Sequence, residues 1–199
     1  NGISLVSTGT AAAAGGLVIT GVGTTTNSGG TINNKTARGV HTNGVKSLSL
    51  SNMGFTGNGT NQDGAATCGD AFNGTNTNCG AAINMLATST VALSNVDVSG
   101  GTQMGINGND VNGLTMDDVT VANVGDENLE DGVQFVNLRG TATITNSSFT
   151  GNFHRQFEVQ NPTATSALTM TIAGSTFDRG TYVSTAAQGV LIAGHGTSA

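Results

Sequence analysis

Residues 132–151 read GVQFVNLRGTATITNSSFTG, and this stretch decides the fold. Ala142 and Ile144 are apolar residues separated by one polar position, which is the alternation of a strand with one buried face. Asn146 follows two residues later and tolerates the left-handed conformation of a sharp bend. Phe149 would face the wrong side if the strand stayed flat. The chain must therefore turn a corner between Ile144 and Phe149.

The same pattern, apolar-x-apolar-x-(Asn/Asp/Gly)-x-x-apolar, occurs in five copies with no gap inside it. Copies from the second onward are 23, 28 and 28 residues apart, and a further short apolar alternation precedes each of them. Repetition of this kind is typical of solenoids, whose stacked units bury a continuous core. The second apolar residue of each copy, here called the anchor, is Leu50, Leu93, Met116, Ile144 and Ile172.

Three short strands per copy predict an all-β fold, a right-handed single-stranded parallel β-helix of about six to seven coils. Residues 1–199 form one domain in this interpretation. The wider gap between Leu50 and Leu93 gives one coil a loop of about twenty extra residues, which we place at 57–80. An antiparallel β-sandwich also has short strands at regular spacing. Unrelated hairpins would not keep one five-residue offset through five copies, so we favour the solenoid.

Composition and charge exclude several classes of protein. Gly occurs 31 times without a period of three and Pro occurs once, so the chain is not a collagen. Six Lys and Arg against twelve Asp and Glu, with a pI near 4.6, argue against a nucleic-acid partner. The longest apolar run, residues 11–14, is far too short for a membrane span. Because the chain opens without Met, we expect a fragment whose partners are further coils of the same parent chain. In isolation, its two open sheet edges predict end-to-end association.

Two segments carry a family resemblance, residues 112–123 (NGLTMDDVTVAN) and residues 132–151. Through them the chain resembles the pectate-lyase-like right-handed β-helix proteins, and more closely the β-strand-repeat surface proteins of bacteria. The resemblance covers about residues 40 to 180 and implies an extracellular or cell-surface location in a large secreted bacterial protein. It says little about activity, because this fold includes lyases, hydrolases, tailspikes, adhesins and passive stalks.

Four polar residues occupy the bend position after successive anchors. Stacked coils lie about 4.8 Å apart, so side chains at this position fall in register and can hydrogen-bond along the stack. We predict a structural ladder here rather than a binding role. Its members are Asn52, Asn95, Asp118 and Asn146.

The chain has two cysteines, Cys68 and Cys79, and both lie in the inserted loop 57–80. Their isolation in one polar loop predicts a local disulfide, which implies an oxidising, extracytoplasmic setting. The alternatives are a redox pair, which lacks a Cys-x-x-Cys spacing, and a zinc site, which lacks enough ligands. The loop is the most individual feature of the chain, so we expect it to be the recognition surface.

Carboxylates are densest in one short stretch that reads DENLED. The EF-hand spacing is not met, so we favour a solvated acidic turn with Leu129 facing inward, and we expect no cofactor. Ca²⁺ binding is the weaker hypothesis for this stretch, since the ion takes six to eight oxygen ligands. The candidate ligands are Asp126, Glu127, Glu130 and Asp131.

A carbohydrate-active enzyme of the same fold, a polysaccharide lyase or glycoside hydrolase, is the alternative function. A hydrolase would need paired carboxylates, such as Asp117 or Asp118 with Asp131. The net charge of −6 argues against binding of an acidic polymer, and the lack of Trp removes the usual sugar platform. The basic candidates for a lyase are Arg139, Arg155 and Arg179. The histidines, interpreted as surface or turn residues, are His41, His154 and His195.

Outward positions of the anchor strands carry small hydroxyl residues, for example Thr141, Thr143 and Thr145. A flat hydroxyl face is compatible with ice binding, and also with an ordinary solvated sheet, because Thr is a good strand residue. The expected function is therefore a non-catalytic β-helical stalk or adhesin module with a glycan or surface-protein ligand. Ice binding is a remote second alternative.

Overall fold

The computed structural model describes residues 1–8, 15–61, 80–162, 167–181 and 188–194. Over these ranges the chain is all-β, with fifteen strands and no helix. The strands, numbered in chain order, are β1 (Ile3–Val6), β2 (Leu17–Ile19), β3 (Gly30–Asn33), β4 (Val40–Val45), β5 (Leu48–Thr56), β6 (Ala81–Ser99), β7 (Met104–Asn109), β8 (Asn112–Ala122), β9 (Val133–Val136), β10 (Arg139–Thr145), β11 (Ser148–Thr150), β12 (Arg155–Asn161), β13 (Leu168–Ala173), β14 (Thr176–Asp178) and β15 (Gln188–Gly194).

Among the described strands every pairing is parallel, and the pairings form two series. The first series runs through β1, β4, the start of β6, β7, β9, β12 and β15. The second runs through β2 and β3, β5, the rest of β6, β8, β10 and β11, and β13 and β14. Since β6 belongs to both, the two series form one strongly curled sheet. This arrangement is consistent with a β-solenoid and excludes the antiparallel sandwich.

The anchors predicted to stack do lie in one column. Leu50 pairs with Leu93 and Leu93 with Met116 in neighbouring strands, and the register then continues through Ile144 to Ile172. The second predicted column is also continuous, because Phe55, Val98, Val121, Phe149 and Phe177 are successive register partners. The apolar repeat therefore corresponds to inward positions of stacked parallel strands.

Backbone in the left-handed region marks the corners of the curl. The bend position that follows each anchor has φ between 48° and 61° in the copies from Leu50 to Ile172, as the pattern predicts. Two further columns of positive φ were missed in the sequence analysis. One contains Asn34, Gly57, Gly100, Asn123 and Gly151. The other contains Ser7, Gly44, Ala87, Asp110 and Asn137.

The apolar core lies inside the curl, between the two series. Phe149 stacks on Phe177 with ring centroids 5.1 Å apart, which confirms the predicted stacking of these two rings. It also meets Phe157 of the first series edge-on at 5.5 Å. The two series are thus joined through aromatic contacts in the middle of the core.

We expect Phe149→Ala to destabilise the fold by about 3–5 kcal/mol, because it removes a fully buried ring and leaves a cavity. Thr143→Ala on the outer face of the adjoining strand is the matched control and should change stability by less than about 0.5 kcal/mol. Urea denaturation followed by circular dichroism measures both. Equal midpoints for the two variants would contradict the assignment of Phe149 to the core.

Candidate functional site

Strand β12 is buried on both of its faces. Phe157 and Val159 belong to the apolar core, so the alternation of the strand places Glu158 and Gln160 on the outer face. Both outer side chains are nevertheless buried, and Glu158 is 0% exposed. A buried carboxyl group requires partners that offset its lost hydration. The surroundings of Glu158 are therefore the first candidate site.

Glu158 ends a column of polar side chains along the outer face of the first series. Strand register pairs Asn84 with Asn107, Asn107 with Gln134, and Gln134 with Glu158. All four are fully buried, and together they form what we call the outer polar column. The sequence analysis missed this column, although its members share one signal. Each lies between, or next to, the inward apolar residues of its strand.

The parallel alignment of β9 and β12 brings two strand starts together. Asp131 lies two residues before the start of β9, His154 immediately precedes β12, and Arg155 is the first residue of β12. The backbone N–H of Arg155 donates to Asp131 Oδ1 at 2.9 Å, and His154 Nδ1 lies 2.8 Å from the same oxygen. Because Oδ1 already accepts one hydrogen bond, a neutral His154 that donates from Nδ1 fits this geometry. His154 was predicted to be a surface or turn residue: it does lie in a bend, but its side chain is buried rather than at the surface.

Asp131 and Glu158 form a carboxyl pair within hydrogen-bond reach of each other. Gln134 Nε2 donates to Asp131 Oδ2 at 3.2 Å and to Glu158 Oε2 at 3.1 Å. Arg155 adds an ion pair to Glu158 Oε2 at 2.9 Å, and Gln160 Nε2 donates to Glu158 Oε1. The carboxyl pair is thus held by donors from within the protein.

The electrostatics of the carboxyl pair favour a retained proton. Burial is the main cause that raises the pKa of Glu158 to about 7, and the neighbouring Asp131 raises it further. The guanidinium of Arg155 opposes this rise but does not cancel it. Burial likewise raises the pKa of Asp131, whereas burial and the charge of Arg155 lower the pKa of His154. Near neutral pH the pair therefore shares a proton beside a neutral imidazole.

The acidic stretch 126–131 divides into exposed and buried parts. Glu130 is fully buried, and its Oε2 accepts the backbone N–H groups of Asp126 and Glu127 at 2.6 Å each. Its Oε1 accepts Gln103 Nε2 at 2.7 Å. Burial raises the pKa of Glu130 to about 7. The interpretation of a solvated turn is therefore wrong for Glu130 and Asp131, although Asp126 and Glu127 are exposed.

The calcium hypothesis gains no geometric support from this turn. Within the described ranges, no group of three or more His, Cys, Asp or Glu side chains is arranged to hold a metal. Glu130 already accepts three internal hydrogen bonds, and Asp131 faces His154. These two carboxylates therefore stabilise the turn and the neighbouring strand.

The predicted ladder residues have different partners. Asn95 Nδ2 donates to Asn52 Oδ1 at 2.6 Å, and also to the carbonyl oxygen of Thr24 at 3.1 Å. Asn146 Nδ2 donates instead to Asp117 Oδ1 at 2.9 Å, one residue before Asp118. Hydrogen bonds from Thr145 and Asn146 lower the pKa of Asp117. The structure thus joins Asn52 to Asn95 directly and links the Asn146 side chain to Asp117.

The start of the inserted loop is held by backbone hydrogen bonds to residues just after β3 and just before β7. Gly59 N donates to Lys35 O at 2.8 Å, and Gln103 N donates to Gly59 O at 3.0 Å. Cys68 and Cys79, with the disulfide predicted for them, lie outside the described residues, as does His195. The loop therefore leaves from a backbone anchored on both sides.

The remaining catalytic candidates lie apart from the carboxyl pair or are exposed. Arg139 forms an exposed ion pair with Asp110 at 2.5 Å, and Arg179 is exposed. Asp131 takes Glu158 as its partner rather than Asp117 or Asp118, which the sequence analysis had considered. Arg155 is the one basic candidate that the described structure brings to the carboxyl pair.

On the outer face of the second series the predicted hydroxyl residues are aligned. Thr115, Thr143 and Thr171 are successive register partners, but Ala92 precedes them, and Asp117 pairs with Thr145 in the adjacent column. The hydroxyl face is thus short and interrupted by a charge. This is an ordinary composition for a solvated sheet face.

Comparisons with family models, curated proteins and solved structures found no match to this chain. Over the described residues, no helix has the length and apolar character needed to cross a membrane.

Glu158 should make the stability of the protein fall as pH rises. Its folded-state pKa, about 7, lies above the ordinary value of 4.5, so its contribution is complete below pH 4.5 and is lost as pH rises through 7. We expect Glu158→Gln to flatten this dependence by an amount on the order of 3 kcal/mol between pH 5 and 8. Thermal unfolding at a series of pH values measures it.

Glu127→Gln is the matched control, because Glu127 is an exposed carboxylate in the same region. It should leave the pH dependence of the melting temperature as it is in the parent protein. A Glu158→Gln variant with an unchanged pH profile would rule out a protonated Glu158 in the folded state.

Proposed function

We propose that the chain is a right-handed parallel β-helix of about six to seven coils with three short strands each, acting as a stalk or adhesin module. In this proposal it has no catalytic activity and belongs to a large secreted or cell-surface bacterial protein. Its stacked coils present the inserted loop 57–80 to a glycan or a surface protein. The resemblance of residues 112–123 and 132–151 to β-strand-repeat surface proteins supports the location and the source.

The observation that carries this proposal is the unbroken register of the inward columns. From Leu50 to Ile172 each anchor lies directly over the next, and the corners repeat with them. A stack in which every unit contacts its neighbours resists bending and shear, because any displacement breaks several ladder hydrogen bonds together. Such rigidity suits a scaffold that holds a binding loop at a fixed place.

The burial of the carboxyl pair supports a non-catalytic role. Asp131 and Glu158 are fully buried, and the nearest charged group, Arg155, has a side chain only 16% exposed. Their oxygens accept hydrogen bonds from Gln134, Arg155 and Gln160. Two carboxyl groups that are enclosed and hydrogen-bonded in this way tie β9 to β12 without offering an atom to a substrate.

The enzyme alternative rests on one specific observation, a carboxyl group with a pKa of about 7 beside a second carboxyl and a histidine. Such a group is matched to acid–base work near neutral pH. Glycosidases, however, keep their carboxyl groups about 5–5.5 Å or 6.5–9.5 Å apart so that sugar or water fits between them. Asp131 and Glu158 share a hydrogen bond instead, so the enzyme remains the second candidate.

Loss of the inserted loop should abolish ligand binding while the fold survives. A Cβ added at Gly59 would lie 2.9 Å from the carbonyl carbon of Gly80, so the chain ends that flank 62–79 are close. We therefore expect a variant with residues 62–79 replaced by Gly-Ser-Gly to fold and melt like the parent. On a glycan and matrix-protein array, the parent should bind and this variant should not.

Cys79→Ser tests the predicted disulfide in the same assay and should weaken ligand binding. Thr143→Ala, on the outer sheet face, is the control and should bind like the parent. Binding that persists in both loop variants would place recognition elsewhere on the surface. A parent protein that binds nothing on the array would overturn the adhesin role.

The enzyme alternative predicts release of unsaturated sugars from acidic polysaccharides, measured by ultraviolet absorbance with and without chelator. We expect no product from the parent protein. Product formed by the parent and lost in Glu158→Gln would replace the stalk proposal with the enzyme.

A further inference from the structure

The turn before β9 contains a second pair of carboxyl groups. Glu130 is fully buried, whereas Asp126 is exposed, and the two side chains lie within hydrogen-bond reach of each other. Two ionised carboxylates offer each other only acceptors, so a hydrogen bond between them requires a proton. The geometry of this pair therefore places a proton at a buried acid.

Glu130 fastens the turn to itself and to the preceding coil. Its Oε2 accepts the backbone N–H groups of Asp126 and Glu127, and its Oε1 accepts Gln103 Nε2. The backbone N–H of Gln103 in turn donates to Gly59 O at 3.0 Å, at the start of the inserted loop. One carboxyl group thus closes the turn and fixes the residue that binds the start of the loop.

Backbone hydrogen bonds join the turn to both of its neighbours. On one side Gly125 N donates to Gly101 O at 2.9 Å, and on the other side Phe153 N donates to Val124 O at 2.9 Å. These bonds connect three successive coils outside their strands. An opening of residues 125–131 would therefore loosen the contacts between coils at this corner while the strand ladders stay paired.

Acidic groups outnumber basic ones around this turn. Residues 100–109 of the preceding coil contain no titratable side chain. The following coil contributes one imidazole and one guanidinium, and both are paired with the neighbouring carboxyl pair of Asp131 and Glu158. An ionised Glu130 would thus add a negative charge to a group of acids. The titratable groups that face the turn are Asp126, Glu127, Asp131, His154, Arg155 and Glu158.

Protonation of Glu130 is therefore coupled to closure of the turn. Burial in the closed turn raises its pKa to about 7, whereas a hydrated carboxyl in an open turn has the ordinary value of 4.5. Because the pKa is higher in the closed turn, the proton stabilises closure fully below pH 4.5. This contribution is lost as pH rises through 7.

We infer that residues 125–131 act as a pH-sensitive clasp, which is closed while a proton lies between Asp126 and Glu130 and opens more often once that proton is lost. Opening releases Gln103, so the start of the inserted loop at Gly59 is held most firmly at acidic pH. The inference goes beyond the proposed function, because it concerns the described turn and does not depend on the ligand.

Backbone amide hydrogen exchange between pH 5 and 8, measured by NMR and corrected for the intrinsic pH dependence of exchange, tests the clasp. The protection factors of the Asp126 and Glu127 amides should fall on the order of 50-fold over this range, given the pKa difference between closed and open turn. The Gln103 amide should lose protection with them. In Glu130→Gln the three protection factors should stay constant, because no titrating group remains at this position.

Three controls locate the effect. Glu127→Gln removes an exposed carboxylate from the same turn and should keep the full pH dependence. Glu158→Gln removes one member of the neighbouring carboxyl pair and should keep it as well. The Asn34 amide, which donates to Thr56 O just after β3, should have a constant protection factor in the parent.

Asp126→Asn is the second variant if Glu130→Gln does not fold. An amide at this exposed position can donate to an ionised Glu130 without a shared proton, so the fall in protection should be several-fold smaller than in the parent.

Constant protection of the turn amides in the parent would overturn the inference, as would an undiminished fall in Glu130→Gln or, where that variant does not fold, in Asp126→Asn. A fall that vanishes in Glu158→Gln would assign the response to the other carboxyl pair and overturn it too. An equal fall at Asn34 would have the same consequence, because the whole fold rather than the turn would then respond to pH.

Discussion

The corners of the curl, where the backbone takes positive φ, are the constraint on which the parallel register depends. A residue with a Cβ pays about 1–2 kcal/mol in this region, so a non-glycine corner persists only where its surroundings hold it. Ladder hydrogen bonds do so here: Asn34 N donates to Thr56 O at 2.9 Å, and Asn123 N donates to Thr150 O at 3.1 Å. Each corner is thus held by the next coil, which turns at the equivalent residue. A shift of one coil by a single residue would strain its corners and move its apolar side chains to the outer face.

The same alignment of corners creates the polar cluster on the outer face. Asp131 and His154 are 23 residues apart in sequence. They meet because the register that pairs Val133 with Phe157 brings the segment before β9 beside the start of β12. Arg155 then reaches Glu158 three residues along its own strand. A carboxyl pair in this position costs hydration, and a retained proton, together with donors from Gln134 and Gln160, reduces that cost. The raised pKa of Glu158 is therefore a consequence of the register between β9 and β12.

The parts of the fold that could be predicted from sequence were those that repeat along the chain. The anchors, the bend after each anchor and the stacking of Phe149 on Phe177 all follow from one spacing rule. The outer polar column was not predicted, because a polar residue between apolar ones in a strand normally faces water. Nothing near Glu158 in sequence marks the outer face of its strand as buried. Ala87, at one of the missed corners, also carries no signal, since alanine is not a residue that favours positive φ. Pairings such as Asp131 with Glu158 depend on a register that exists only once the coils are stacked.

Apolar columns and polar contacts have different effects on specificity in this stack. Leu, Ile, Val, Met and Phe recur at the inward positions, so many coils could pack on many others with little loss of buried area. The contacts of Asp131 with His154 and Arg155 exist between one pair of neighbouring strands, and any other neighbour would leave a buried carboxyl without its donors. The polar cluster therefore specifies which strands are neighbours, while the apolar columns stabilise the packing of coils in general.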